Sequence, residues 1–184
     1  YAEIVCGHLV HAHARGAERS RRIYEHKIAH RADIVVCTPG GWPYDIDLVQ
    51  AKKALVPALE CVAPGGAVIL VGECPRGWGA HAPFMPLLEA EDPPALIAEI
   101  RRQVATGENE WDWAPCSTGL LFSAVVHEHQ AQLIVVSSMS EQLANTFVDA
   151  APDLPTALAM AEERLGPDAS IIALHDGRRV ICAG

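Results

Sequence analysis

The chain has 184 residues, half of them apolar, with 14 basic against 23 acidic side chains and a formal charge of −9. That length suits one large domain or two small ones, and the apolar share is ample for a packed core, which excludes a disordered chain. The acidic balance without a basic stripe argues against nucleic acid or an anionic membrane as partner, and no apolar run approaches the roughly 20 residues of a membrane span.

Residues 1–6 read as a strand, so the start at Tyr1 is expected to be a cut made in a longer chain. Residues 9–25 read as a helix that Gly16 weakens. His8 lies just before it, and His11 and His13 lie in its first turns. His11 and His13 point to different helix faces and no further ligand follows at a suitable spacing, so all three read as solvated and no metal site is expected.

Residues 34–37 are a short β-branched strand. Thr38-Pro39-Gly40-Gly41 breaks it, because Pro39 has no N–H for a ladder and the glycines allow positive φ. Asp45 or Asp47 then caps a helix reaching about residue 59, with Leu48, Ala51, Leu55 and Leu59 as its inner stripe. Gln50 and Lys53 stand three residues apart in the first two turns, on nearly the same face and near the positive end of the helix dipole. A strand end, a glycine turn, a helix start, one amide and one ammonium suit an anion, and open α/β sheets bind ligands beyond the carboxyl ends of their strands. The competing reading is two solvated residues on an ordinary amphipathic helix.

Pro64-Gly65-Gly66 reads as a stop, and residues 67–71 as a continuous apolar strand of a parallel sheet. It exits into a second glycine-rich loop at 72–79. A right-handed crossover brings both loops to one sheet edge, where Gly40, Gly41, Trp42, Glu73 and Arg76 would line one cleft. Glu73 and Arg76 read equally well as a structural ion pair.

Residues 83–90 suggest a short helix. A longer one spans 95–106 behind Pro93-Pro94, with Leu96, Ile97, Ile100 and Val104 as its stripe. Residues 108–118 read as an irregular loop whose Trp111 and Trp113 either cover a ligand or plug a core gap. A helix at 119–128, a strand at 132–136, a short helix capped by Ser138 or Ser140, and a helix at 154–165 follow. The last strand, 170–174, turns at Asp176-Gly177 and returns through Val180, Ile181 and Cys182. His127 and His129 share no helix face and read as surface residues. The six cysteines show no C-x-x-C spacing and read as reduced thiols of a cytoplasmic protein. The order predicts a single α/β domain over 1–184, three-layered, with a mainly parallel sheet and a C-terminal β-hairpin.

The run ADIVVCTPGGWPYDIDLVQAKKAL at 32–55, followed by APGGAVILVGECPRGWG at 63–79, resembles the C-terminal domain of the nickel-pincer lactate racemase family. That family carries a strand, a small-Gly-Gly-aromatic-Pro turn, Asp, a Gln-x-x-Lys helix, then Pro-Gly-Gly, an apolar strand and Glu-Cys. The resemblance continues through GLLFSAVVHEHQAQLIVVSS at 119–138 and LPTALAMAEERLGPDASIIAL at 154–174. It implies the C-terminal half of a two-domain racemase or epimerase of 2-hydroxy acids. In such enzymes a nickel-pincer nucleotide takes a hydride from the α-carbon of the substrate and returns it on either face, while two histidines act as general acid and base. The resemblance places those histidines, the cofactor-bearing lysine, the nickel ligand and an anion-binding arginine in the N-terminal domain, so no catalytic residue is expected here. It carries over Gln50 and Lys53, which hold the substrate across the domain cleft. Val49 stands where characterised racemases often have tyrosine, which points to a 2-hydroxy acid other than lactate.

Two other readings compete. APGGAVILVGE also resembles the late Pro-Gly-Gly strand of Rossmann-like nucleotide or S-adenosylmethionine domains, although no G-x-G-x-x-G follows the first strand. The other is a binding or regulatory domain that keeps this fold without catalysis.

Overall fold

The computed structural model describes residues 3–79, 85–108 and 113–183. Residues 3–6 are not the expected strand. They form a loop that Glu3 ties to the first helix through Arg15 and Arg19. That helix, α1 (Leu9–Tyr24), buries none of its residues. A three-residue strand, β1 (Glu25–Lys27), and the first core strand, β2 (Ala32–Cys37), follow.

Asp47 caps the next helix by accepting the Gln50 N–H at 2.8 Å. The expected single helix is present with one tighter turn inside it. Helix α2 (Leu48–Ala51) passes through a 3₁₀ turn at Lys52–Ala54 into α3 (Leu55–Cys61). Pro57 accounts for the tightening, since it has no N–H to give the Lys53 carbonyl and its ring crowds that turn.

Strand β3 (Val62–Val71) runs through Pro64-Gly65-Gly66, where the sequence predicts a stop. The glycines make a bulge. Register shifts between the pairs Ala32–Val62 and Ile34–Ala67, and a Cβ on Gly66 would lie 2.4 Å from the Asp33 carbonyl oxygen.

Helix α4 (Met85–Leu88) and helix α5 (Pro93–Thr106) come next. Asp92 caps α5 at the Ala95 N–H, and Gly107 ends it with φ +77°. Ile97 and Ile100 are buried, whereas Val104, predicted for the same stripe, is exposed. Helix α6 (Trp113–Ser123) starts inside the predicted 108–118 loop and continues as a wider π-type turn over Ala124–Glu128. Trp111 lies outside the described residues.

Then come β4 (Gln132–Val136), α7 (Ser140–Leu143), β5 (Asp149–Ala151), α8 (Leu154–Leu165), β6 (Ile171–Leu174) and β7 (Ile181–Ala183). Neither Ser138 nor Ser140 caps α7. The Ser138 hydroxyl donates to the Glu73 carbonyl, and Met139 occupies the cap position.

Five parallel strands form the main sheet in the order β5-β4-β3-β2-β6. Alternate residues feed two cores. Val35, Cys37, Val68, Leu70, Leu133 and Val135 pack with Leu48, Leu55 and Phe122 on one side. Ile34, Ala67, Ile69 and Ile134 pack with Ala157 and Ala161 of α8 on the other. This is the predicted three-layer α/β domain with a parallel sheet. The two C-terminal strands are present but do not pair as a hairpin. β6 joins β2, while β7 lies parallel to β1 in a separate two-stranded sheet. A 3₁₀ turn at Gly177–Arg179 follows Asp176, and the Gly177 N–H is spent on the Thr38 carbonyl instead of closing a tight turn.

At its entry β6 is pinned to β2 by the Asp33 carboxylate, which accepts from the Ser170 N–H at 2.8 Å and the Ser170 hydroxyl at 2.7 Å. These bonds, the hydroxyl's first, hold Asp33 below the usual carboxylate range, and the Thr156 cap does the same for Asp153. A carboxylate lowered in the folded state stabilises fully above its unfolded pKa of about 4 and loses that contribution as pH falls through the folded value. Urea unfolding followed from pH 5 to pH 2 is expected to show a shallower loss of stability in Asp33→Asn than in the native protein.

Candidate functional site

From β2 the chain builds outward through β3, β4 and β5, then returns to place β6 on the other side of β2. The direction reverses between β2 and β6, and ligands of open α/β sheets collect at the carboxyl ends of such strands. Here the loops after β2 and β6 are laced together. The Thr38 hydroxyl donates to the His175 carbonyl at 2.7 Å and accepts the Gly40 N–H at 3.0 Å. Arg178 Nε donates to the Pro39 carbonyl at 2.9 Å, and its guanidinium carbon lies 3.3 Å from the Tyr44 ring centroid. Asp176 pairs with Arg178 at 3.2 Å. Gly40, at φ +95°, lies so close that a Cβ there would meet the Asp176 carboxylate at 2.8 Å. The bend that aims α2 is therefore held by an Asp176–Arg178 clasp.

The loop after β3 meets the same segment from the other side. Leu48 N–H donates to the Gly77 carbonyl at 3.0 Å, Cys74 N–H to Asp45 at 2.9 Å and Arg76 N–H to Ile46 at 3.0 Å. Both predicted loops thus share one rim. Cys74 is buried at φ +51°. Burial above all, then the nearby Asp45, Asp47 and Glu73 carboxylates, push its thiol up to about 12.

Gln50 and Lys53 share a face as their spacing predicts. Lys53 Nζ donates to Gln50 Oε1 at 2.6 Å, with Lys53 exposed and Gln50 half-buried. Lys52 turns the other way. Its Nζ donates to Ser117 Oγ at 3.0 Å and to the buried Thr118 Oγ1 at 2.5 Å, and burial, then the neighbouring Lys53, lowers its pKa. The sequence carried a signal for this, because Lys52 lies one turn beyond Leu48 on the inner stripe. Val49 packs into the core.

The other predicted cleft residues fall on the same two loops. Gly41 has open space around it, and Trp42 is 71% exposed. Glu73 and Arg76 are exposed and do not pair with each other. Trp78 is half-buried against the core, and the Trp113 side chain lies outside the described residues. His127 is not the surface residue the sequence suggests. It is half-buried edge-on to Phe147, with ring centroids 4.9 Å apart, and burial lowers its pKa. With Ser123 it lines a cavity of about 160 Å³. That cavity sits where the chain enters β4, at the edge opposite the rim. Among the described residues no three His, Cys, Asp or Glu side chains are grouped to hold a metal ion.

Residues 27–182 match the family model of the lactate racemase C-terminal domain. The chain belongs to that family. The chain is 28% identical to the lactate racemase of Thermoanaerobacterium thermosaccharolyticum over 177 residues, which is 95% of this chain and 40% of the relative. It is 27% identical to that of Lactiplantibacillus plantarum, over 81% of this chain and 34% of the relative. The structure of the Thermoanaerobacterium lactate racemase apoprotein matches it with a TM-score of 0.82 at 28% identity, covering 97% of this chain and 42% of that one. The chain therefore spans about two-fifths of these lactate racemases, and the family expectation raised by the Gln-x-x-Lys and Pro-Gly-Gly runs holds.

Proposed function

We propose that this chain is the substrate-holding domain of a nickel-pincer-dependent racemase or epimerase of 2-hydroxy acids, working in the cytoplasm with an N-terminal domain of the same protein. The observation that supports it is the Gln50–Lys53 pair, set on the outer face of a helix whose start is laced into the carboxyl rim of a lactate racemase domain. A 2-hydroxy acid brings a carboxylate. Lys53 offers two ammonium N–H groups beyond the one given to Gln50, and the Gln50 amide offers both a donor and an acceptor. Such contacts orient the α-carbon, and orientation is what hydride transfer demands.

The cofactor, when bound, would supply reversible hydride transfer at that carbon. An amide and an ammonium are not nickel donors, so Gln50 and Lys53 would not hold the metal. Its ligands and the proton-moving histidines are assigned to the N-terminal domain. Val49, packed inward, offers no hydroxyl to the rim, which favours a substrate other than lactate.

The test is stereochemical. The longer protein, loaded with cofactor, is incubated with single enantiomers of a panel of 2-hydroxy acids. Chiral chromatography is expected to show inversion at the α-carbon for at least one. Retained configuration across the panel overturns the reading.

A further inference from the structure

Two cysteines that the mechanism does not use face each other beneath the helix that continues from Gln50 and Lys53. Cys61 ends α3 and is fully buried, and Cys182 lies in β7, half-buried. Their sulfurs are 2.8 Å apart although the residues are 121 positions apart in sequence. A disulfide needs the sulfurs at about 2.05 Å, so the side chains are already aimed and little must move. Cys182 also borders an open cleft of about 270 Å³ between α3 and β7, lined by Val56, Pro57, Glu60 and Ile181, through which a small oxidant can reach it.

We propose that Cys61 and Cys182 form a reversible redox clasp, closed by exchange with a low-molecular-weight disulfide of the glutathione class. The Cys182 thiolate attacks one sulfur of the oxidised reagent. Its S–S bond breaks, one reagent thiolate leaves, and Cys182 carries the mixed disulfide. Cys61, deprotonated, attacks the Cys182 sulfur and expels the second reagent thiolate. Two protein thiols become one disulfide, and the reagent disulfide becomes two thiols that take up the two protons. The order of attack follows from the surroundings. Burial, then the hydrogen bond to Cys182, push the Cys61 thiol up to about 12, so Cys61 resolves and does not initiate.

The bond would tie the C-terminal strand to the helix that continues from Gln50 and Lys53. β7 also pairs with β1, so the bond would fix the small two-stranded sheet to the helical layer of α3. The ring it closes is long, which is where a cross-link restricts the unfolded chain most.

The purified protein is equilibrated with oxidised and reduced glutathione at increasing ratios, quenched in acid and alkylated while denatured. Digestion without reductant is expected to give a peptide pair joining Cys61 to Cys182, with two alkylatable thiols lost. The thermal midpoint is expected to rise by roughly 5–10 °C. Cys182→Ser, at the half-exposed position, should fold and lose both effects, even if Cys61→Ala does not fold. A glutathione adduct that persists on Cys182 while Cys61 stays alkylatable overturns the proposal, and so does a bond from Cys61 to Cys37.

Discussion

On the function proposed above, Lys53→Ala in the longer, cofactor-loaded protein is expected to lower kcat/KM for its 2-hydroxy acid by about 10²-fold while leaving nickel content unchanged. The magnitude follows from the bond removed. A hydrogen bond to a charged group contributes about 1.5–3 kcal/mol, and each 1.4 kcal/mol is tenfold in rate. Lys53 is exposed and, among the described residues, bonds to Gln50 alone, so its truncation leaves no buried group unpaired, and thermal stability should stay within about 0.5 kcal/mol of native. The kinetic split is informative. If the ammonium only anchors the carboxylate, KM rises alone; if it also orients the α-carbon, kcat falls with it. Lys53→Arg keeps the charge and should recover part of the loss. Lys52→Ala is the structural contrast. It strands the buried Thr118 hydroxyl, so its first effect is a lower melting point. A Lys53→Ala enzyme with native kcat/KM removes Lys53 from the site.

The two lysines also show how far the sequence reaches. The inner stripe one turn beyond Leu48 turns Lys52 inward, but its partner comes from a segment 65 residues away that no local pattern names. Here Pro57 tightens the turn at Lys52–Ala54, so Lys52 points to Thr118 and Lys53 to Gln50. The long apolar runs of β2, β3 and β4 were legible because a strand buried on both faces needs continuous branched residues. β1 and β5 were not, since three residues carry no periodicity. Asp176-Gly177 is a strong hairpin signal, yet Gly177 packs where a Cβ would come within 3.0 Å of Ala54, and its N–H goes to Thr38. A long-range contact overrode the local preference. The Arg178–Tyr44 stack and the Cys61–Cys182 pair are likewise products of topology, because each joins residues more than 100 positions apart. Gln50 and Lys53 were readable because one helical turn suffices to bring them together.

Gly66→Ala is expected to cost more stability than any other change considered, about 3 kcal/mol, and Gly65→Ala only about 1 kcal/mol. Sequence alone treats the two as one Pro-Gly-Gly signal, but their surroundings differ. Gly65 has φ +78° and nothing within 4 Å of where a Cβ would sit, so its substitution carries only the cost of a left-handed backbone. Gly66 has its would-be Cβ at 2.4 Å from the Asp33 carbonyl and 3.0 Å from the Ala63 carbonyl. Both obstacles are backbone in or beside paired strands, so neither swings aside as a side chain would. At roughly 2–4 °C per kcal/mol for a domain of this size, the Gly66→Ala midpoint should fall by about 10 °C. Strand geometry also limits where the damage goes. Asp33 is four residues from Cys37 at the rim, about 13 Å along an extended strand. The folded fraction should therefore keep kcat/KM close to native, even as the midpoint drops. Equal melting points for the two alanine variants would mean that the bulge is not pressed onto β2.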